Sequence, residues 1–271
     1  MKLDSAGYVA IVQLIVFIPA LIASIILCTR HGFSRSSGWI YTGLLCVFRI
    51  GGSICQLLTY TNHSIGLLIA TLVFYSIGLS PLLFATLGLI SRFADCINAA
   101  GKQVLDIKHL RAIQLLILLP LILSIVGGTS MQPDSYGVFH IPATSKAAIA
   151  LYLVAFLLIC VAFAVIFHHR NSVNSARERR VPIVVGLALP LILVRVLYSL
   201  IATFANDKQF SLYGGSVGIR VGMATIEEFL VIAMYIVLGF TLDKLGLESR
   251  GELAHRGWKL TETRRQRQQR F

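Results

Sequence analysis

Charged residues are scarce in this sequence of 271 residues. Asp, Glu, Lys and Arg make up only 13% of it, whereas about a quarter is usual for a soluble domain. Hydrophobic residues reach 56%. So large a deficit of charge excludes an ordinary soluble protein and indicates a chain whose surface faces lipid over most of its area.

Motifs that hold metals, nucleotides or phosphates are missing as well. The five cysteines include no pair at metal-ligand spacing, and an odd number does not make a disulfide framework. No glycine-rich phosphate-binding loop occurs in a usable context. No two aspartates are adjacent, and the seven histidines form no di-iron cluster. We therefore expect no metal and no cofactor.

Seven apolar stretches are long enough to cross a membrane. A spanning helix needs about 20 mostly apolar residues, and its backbone groups must be satisfied within the segment. The sequence predicts an all-α bundle of seven transmembrane helices over residues 1–242, followed by a basic tail over 243–271. The predicted spans are Tyr8–Cys28, Gly38–Leu58, Ile65–Ile90, Leu110–Gly128, Ala147–Phe167, Val181–Phe204 and Val221–Leu242.

The sequence lacks the signatures of two well-known classes of seven-span protein. The seventh span holds no lysine, so a retinal Schiff base has no anchor. The charged triplet after the third span and the Asn-Pro-x-x-Tyr motif of G-protein-coupled receptors are also absent. These absences exclude a rhodopsin-type protein and give no support to a common G-protein-coupled receptor.

The distribution of basic residues predicts the orientation. Eighteen lysines and arginines lie on one side of the predicted spans and four on the other. Because cytosolic loops carry the excess of positive charge, we expect the N-terminus outside the cytosol and the tail inside. The tail fits anionic lipid headgroups. No basic patch interleaved with aromatics stands on a soluble domain, so we expect no nucleic-acid partner.

Ionisable residues interrupt three of the predicted spans. Arg49 lies in the second span, Arg195 in the sixth, and Glu227 and Glu228 in the seventh. A charge in hydrocarbon is costly, so it normally faces the bundle interior and has a partner. With the predicted topology, all of these positions fall between the midplane and the outer leaflet, and we expect them to meet there.

Helical spacing predicts a polar seam around these charges. Arg49, Ser53, Gln56 and Tyr60 follow one another at intervals of four, three and four, which places them on one face of the second span. Beside them, Gly51 and Gly52 allow another helix to approach closely.

The sixth and seventh spans contribute to the same seam. Tyr198 shares a face with Arg195, and Tyr235 follows Glu228 by seven residues. Adjacent helical residues point about 100° apart. One glutamate therefore faces the seam and the other a rim, and Glu228 has the more polar neighbours.

Two interpretations of the charges stand side by side. A buried ion pair can simply lock helices in register. Intramembrane ionisable residues more often mark a functional site, and two arginines exceed what a simple lock needs. Aromatics in the outer halves, such as Tyr75, are typical of packing or interface anchors, but they also suit the wall of a cavity for a greasy cation.

Three short motifs carry a resemblance to a known family. They are Phe48–Ser53, Pro190–Ser199 and Glu228–Tyr235 followed by Gly239. Over nearly the whole chain the sequence resembles a fungal family of seven-span integral membrane proteins of formerly unknown function. That group includes membrane-bound terpene cyclases of meroterpenoid pathways, of the macrophorin, ascochlorin and ascofuranone types.

The resemblance implies a substrate, a reaction and a set of site residues. The substrate would be a farnesyl chain on a small aromatic or cyclohexenone head. We expect the protein itself to lie in the endoplasmic reticulum or another endomembrane. Glu228, with Arg49 and Arg195, would form the catalytic group that adds a proton to an alkene or an epoxide. The residues expected to contact the substrate are Tyr198, Tyr235, Gln56, Tyr60, Glu227 and Tyr75. The alternative is a non-enzymatic seven-span receptor or transporter with a buried Arg–Glu cluster.

Overall fold

The computed structural model describes residues 4–31, 37–62, 64–99, 105–131, 141–173, 175–205 and 215–242. Within these ranges the chain is helical and contains no strand. Seven of its helical segments are long and apolar enough to cross a membrane. The predicted all-α, seven-span architecture is therefore confirmed, while the basic tail over 243–271 lies outside the described residues.

Within the described ranges, nine α-helices build the seven spans, because two spans are interrupted. The third span consists of α3 and α4, and the seventh of α8, a π-helical turn at Val221–Thr225 and α9. The helices are α1 (Ser5–His31), α2 (Ser37–Leu58), α3 (Ile65–Ile77), α4 (Leu79–Ala99), α5 (Ile107–Thr129), α6 (Ala143–His168), α7 (Arg180–Phe204), α8 (Val217–Arg220) and α9 (Ile226–Thr241).

The break between α3 and α4 has a cause in the sequence. Pro81 has no backbone N–H, and its ring clashes with the carbonyl four residues earlier, at Ile77. Helix α3 accordingly ends at Ile77, and Gly78 separates it from α4. The predicted third span ended at Ile90, but α4 runs on to Ala99, so this span is longer than hydrophobicity alone indicated.

The third span lies at the centre of the bundle. In its most apolar stretch of 18 residues 61% of the side chains are buried, against 33–44% in the other six spans. Helix α4 packs against α2, α5, α6 and α7. Large hydrophobic side chains on the outer spans, such as Ile15, Leu115, Val161 and Val237, point away from the core and form the lipid-facing surface that the composition predicted.

Candidate functional site

The three predicted intramembrane charges meet in one cluster. Arg49 donates two hydrogen bonds to Glu228, from Nε to Oε2 and from Nη2 to Oε1. Arg195 donates from Nε to Glu228 Oε1 at 2.6 Å. The residues are 2%, 3% and 0% exposed for Arg49, Arg195 and Glu228. This cluster, the arginine–glutamate centre, joins α2, α7 and α9.

Further hydrogen bonds fix the second arginine of the centre. Arg195 donates from Nη1 to Ser199 Oγ, one turn further along α7, and from Nη2 to the Tyr75 carbonyl oxygen at 3.2 Å. The latter bond ties α7 to α3 just before the helix break. Since its guanidinium has partners on three sides, Arg195 is held in one orientation.

Glycines give the centre its room. A Cβ atom at Gly78 would lie 2.9 Å from Arg49 Nη2, so the interruption between α3 and α4 is also where the guanidinium fits. Gly51 and Gly52 face Phe74 of α3, where added Cβ atoms would lie 3.2 and 3.1 Å from its side chain. The predicted close approach of another helix at this glycine pair is confirmed, and that helix is α3.

A small cavity lies beside the centre. Its volume is about 30 Å³, and since a water needs about 10–15 Å³ measured in this way, it holds about two. Arginines and tyrosines form much of its wall: Arg49, Arg195, Arg220, Tyr75 and Tyr198. Hydroxyl side chains complete it: Ser76, Ser199, Thr203 and Thr225. We call this space the arginine cavity.

The arginine cavity carries an excess of positive charge. Three guanidinium groups line it, and Glu228 is the single carboxylate within the described residues that forms a salt bridge with any of them. Arg220 lies over the Tyr75 ring, 5.1 Å from its centroid, and Arg49 lies 5.4 Å from the same centroid. The sequence pointed to Arg49 and Arg195 but assigned Arg220 only to a flank.

Beside the centre, a chain of side-chain hydrogen bonds links α2 to α1 and to the π-helical turn. Ser53 donates to Gln13 Oε1 at 2.8 Å, and Gln13 donates from Nε2 to Thr225 Oγ1 at 3.1 Å. Gln13 is 3% exposed. Sequence reasoning missed this residue, although a single amide within an otherwise apolar first span was the signal that could have found it.

An apolar groove lies on the other side of Thr225. Its volume is about 330 Å³, at the lower end of the range of about 300–1,000 Å³ for small-molecule sites. It lies between α1 and the seventh span and is lined mainly by Val12, Val16, Phe17, Val221, Ile226 and Phe229. The side chains of Val12 and Ile226 are exposed on the bundle surface, so the groove opens toward the lipid.

The glutamates of the seventh span have different surroundings. Glu228 faces the interior and is fully buried, whereas Glu227 is half-buried. Glu227 Oε2 is shielded from solvent and forms no hydrogen bond with any described residue. Both arginines of the centre therefore contact Glu228, and neither forms a salt bridge with Glu227.

The other residues expected to contact a substrate are dispersed. Tyr75 and Tyr198 line the arginine cavity. Tyr235 is buried between α9 and α4, where its hydroxyl lies 2.8 Å from Thr86 Oγ1. Gln56 is half-buried on α2, and Tyr60 lies beyond the end of that helix.

Tyr60 belongs to a polar contact at the membrane surface. Its hydroxyl donates to Asp4 Oδ1, and together with the Gly7 backbone N–H this holds the pKa of Asp4 below its usual range. The positive charge of Arg220 acts in the same direction on that pKa. The seam predicted on α2 thus runs from the centre to the end of the bundle where α1 begins, the Ser5 end.

A second buried ion pair lies near the opposite end of the bundle, the His31 end. Arg92 of α4 donates from Nη2 to Glu178 Oε1 at 2.7 Å, and its guanidinium lies 5.3 Å from the centroid of the Trp39 ring. His31 stacks on Trp39 with ring centroids 4.5 Å apart. The sequence counted Arg92 as a flanking residue, whereas in the structure it is buried.

Comparison with known families places the chain. A family model described as a domain of unknown function, DUF7702, matches residues 3–245. The chain belongs to this family. None of the curated proteins matches it. The DUF7702 match covers all seven spans, so the arginine–glutamate centre, the arginine cavity and the apolar groove all lie within the family's domain. The described residues contain no group of three His, Cys, Asp or Glu side chains that could hold a metal ion.

Proposed function

We propose that this chain is a membrane-embedded terpene cyclase of fungal secondary metabolism, which cyclises a farnesylated meroterpenoid precursor. One observation carries the proposal: an arginine-lined cavity inside the bundle borders an apolar groove that opens to lipid. A cyclase acting on a lipid-soluble substrate needs a polar site for the head of the molecule and a dry, lipid-accessible surface for its tail.

The groove suits the isoprenoid chain. Phe17 and Phe229 contribute aromatic rings whose centroids lie 6.4 Å apart in an edge-to-face arrangement. Aromatic faces attract cations, and this wall lies on the other side of Thr225 from the guanidinium groups, which would repel a carbocation. The cation of a cyclisation therefore fits the groove, and the oxygen-bearing head fits the cavity.

The contacts of Glu228 constrain how a proton is delivered. Its carboxylate accepts three hydrogen bonds from two arginines, and the two guanidinium charges oppose the uptake of a proton until at least one of these bonds is broken. A substrate oxygen in the arginine cavity would compete for the same guanidinium groups. Binding would then free Glu228 to take up a proton and transfer it to the terminal alkene or epoxide, which requires the chain to fold back from the groove toward the head. The final carbocation returns a proton when it forms its last double bond, so the product is an isomer of the precursor.

The test is conversion of a farnesylated aromatic precursor in a microbial host that expresses the full chain. We expect a product of unchanged mass and different retention time, absent from the host alone. Rates normalised to folded protein should fall about 10²–10⁴-fold for Glu228→Gln, as on loss of a general acid, and change little for Glu227→Gln. A chain that is folded, membrane-inserted and unable to convert any such precursor would contradict the proposal.

One observation favours the alternative, a transporter or receptor. The buried Arg92–Glu178 pair forms a second charged layer. Trp39, which contacts Arg92, precedes Arg49 by ten positions on α2, so this layer lies about 15 Å from the arginine–glutamate centre. Two ionic layers with a closed core between them suit gates that open in turn. Uptake or efflux of a labelled isoprenoid by proteoliposomes, without any isomeric product, would favour this function over cyclisation.

A further inference from the structure

The arginine cavity has unused capacity to bind an anion. A guanidinium carries five N–H donors, and Arg49 uses only Nε and Nη2 in hydrogen bonds with described residues. Arg220 forms no salt bridge with any carboxylate in the described ranges. The cavity wall therefore holds three positive charges. The one negative charge, that of Glu228, is already bound by the two arginines of the centre.

The size of the cavity limits the head group. About 30 Å³ is space for about two water-sized groups, which matches the two oxygens of a carboxylate better than the four of a phosphate. Arginine binds a carboxylate through paired N–H donors in a planar fork. The hydroxyl of Thr203 on the same wall can donate to such an oxygen as well.

The π-helical turn lies between the cavity and the groove and lines both of them. Ala224 and Thr225 line the arginine cavity, while Val221 and again Thr225 line the apolar groove. One residue thus belongs to both spaces, and Gln13 fixes its hydroxyl. Single π-turns within α-helices frequently occur at functional sites. Ala224 of this turn and Arg220, the last residue of α8, face one space, and Val221 faces the other.

We propose that the arginine cavity binds the carboxylate of an amphiphilic small molecule whose hydrocarbon tail lies in the apolar groove. The inference rests on the proposed function only for the choice of an isoprenoid tail. Binding needs no turnover, so failure of one and failure of the other are distinguishable. If the chain binds the acid but makes no product, the proposed binding site stands and the proposed cyclase function does not.

The experiment measures binding of tritiated farnesoic acid to the purified full chain in phosphatidylcholine nanodiscs, with empty nanodiscs subtracted. Methyl farnesoate keeps the tail without the charge, and 3-methyl-2-butenoic acid keeps the charge without most of the tail. We expect farnesoic acid to bind at least about tenfold more tightly than the ester, since a charge-assisted hydrogen bond is worth about that factor. It should exceed the short acid by at least as much, because the short acid buries little hydrocarbon in the groove. If the ester binds as tightly as farnesoic acid, the cavity does not recognise a carboxylate. If the short acid binds as tightly as farnesoic acid, the groove does not hold the tail.

Three variants at two positions locate the site, with one matched control. Arg220→Gln should weaken farnesoic acid binding about tenfold or more, whereas Arg220→Lys should keep much of it. Val12→Trp fills the groove from its exposed edge and should weaken farnesoic acid without affecting the short acid. Arg30→Gln is the control, because Arg30 is exposed and donates to the Phe240 carbonyl oxygen far from the cavity.

The remaining outcomes also decide. Unchanged binding in Arg220→Gln, or an equal loss in Arg30→Gln, would contradict the assignment to this cavity. Tighter binding of farnesyl phosphate than of farnesoic acid would overturn the two-oxygen head group. If Arg220→Gln does not fold, the comparison between acid and ester still decides, because it uses the unmodified chain.

Discussion

A carboxylate between two guanidinium groups has consequences that differ for each partner. Removing one arginine leaves the other to neutralise Glu228, while removing the carboxylate leaves two positive charges in hydrocarbon with none opposite. The cost of a buried ion pair is mostly the cost of the charge left behind. At the scale of single residues, Glu228 is therefore the member of the centre on which stability depends most.

We accordingly expect Glu228→Gln to destabilise the folded chain by about 3–5 kcal/mol, the usual effect of removing one partner of a buried pair. The measurement is the midpoint of thermal unfolding in detergent, read by size-exclusion chromatography of a fluorescent fusion. Glu227→Gln is the matched control on the same helix turn, and it should change the midpoint little because no described residue forms a hydrogen bond with Glu227 Oε2. Equal midpoints for the two variants would contradict a supporting role for the centre.

Only part of this centre could be predicted from the sequence. Arg49, Arg195 and Glu228 stood out because charges are rare in spans, and their depths along the helices brought them to one level. Arg220 and Gln13 did not stand out in the same way. A basic residue at the end of a span is normally an interface residue, and an amide costs less than a charge. Their roles depend on which helix faces which, and that is set by tertiary packing.

At the scale of helices, close approach at one glycine organises the His31 end. A Cβ atom at Gly239 would lie 2.8 Å from both Leu27 Cδ1 and Trp39 Cε2. Trp39 is held there by a hydrogen bond from Nε1 to the Tyr235 carbonyl oxygen at 3.2 Å and by the stacked ring of His31. At this end of the bundle, helix α9 can therefore approach α1 and α2 closely only because it has no side chain at position 239.

Gly239→Ala should consequently destabilise the chain by about 1–3 kcal/mol, the usual cost of overpacking. Gly222→Ala is a sharp control in the same span, since a Cβ atom there would have no atom within 4 Å. Alanine also costs a helix less than glycine, so that variant should be neutral or slightly more stable. The same thermal measurement compares the two, and a loss of stability in Gly222→Ala equal to that in Gly239→Ala would contradict the packing argument.

The second ion pair joins α4 to the segment that precedes α7. Glu178 is followed closely by the start of α7 at Arg180, and its carboxylate accepts from Arg92. We expect a double-mutant cycle of Arg92→Gln and Glu178→Gln to show a coupling of about 0.5–3 kcal/mol, as for residues in one buried network. Additive effects on the unfolding midpoint would show that the pair does not connect these elements.

The helices themselves were mostly predictable, and the interruptions were not. The length of the hydrophobic stretches located all seven spans, because each span must cross a hydrocarbon layer about 30 Å thick. The end of α3 at Ile77 depends on Pro81. The sequence shows this proline, but it does not indicate whether a helix kinks there or ends and a new one begins. The π-helical turn at Val221–Thr225 has no comparable signal, since no proline lies within it.

At the scale of the whole molecule, the two charged layers give the bundle two unlike ends. The arginine–glutamate centre and the arginine cavity lie toward the Ser5 end, and the Arg92–Glu178 pair lies toward the His31 end. If the excess of basic residues sets the topology, the cavity faces the lumen or the exterior and the second pair faces the cytosol. A substrate made in the cytosol would then reach the cavity through the lipid-exposed groove, without crossing the closed core of α4.

Orientation is therefore the prediction on which the direction of substrate entry depends. Eighteen basic residues against four predict that the tail after Leu242 lies in the cytosol. In sealed endoplasmic reticulum vesicles, whose cytosolic face is outward, added protease should remove a C-terminal tag without detergent. An N-terminal tag should be protected until detergent opens the vesicles, which also controls for vesicle integrity. A protected C-terminal tag with a cleaved N-terminal tag would reverse the orientation, and the arginine cavity would then open toward the cytosol.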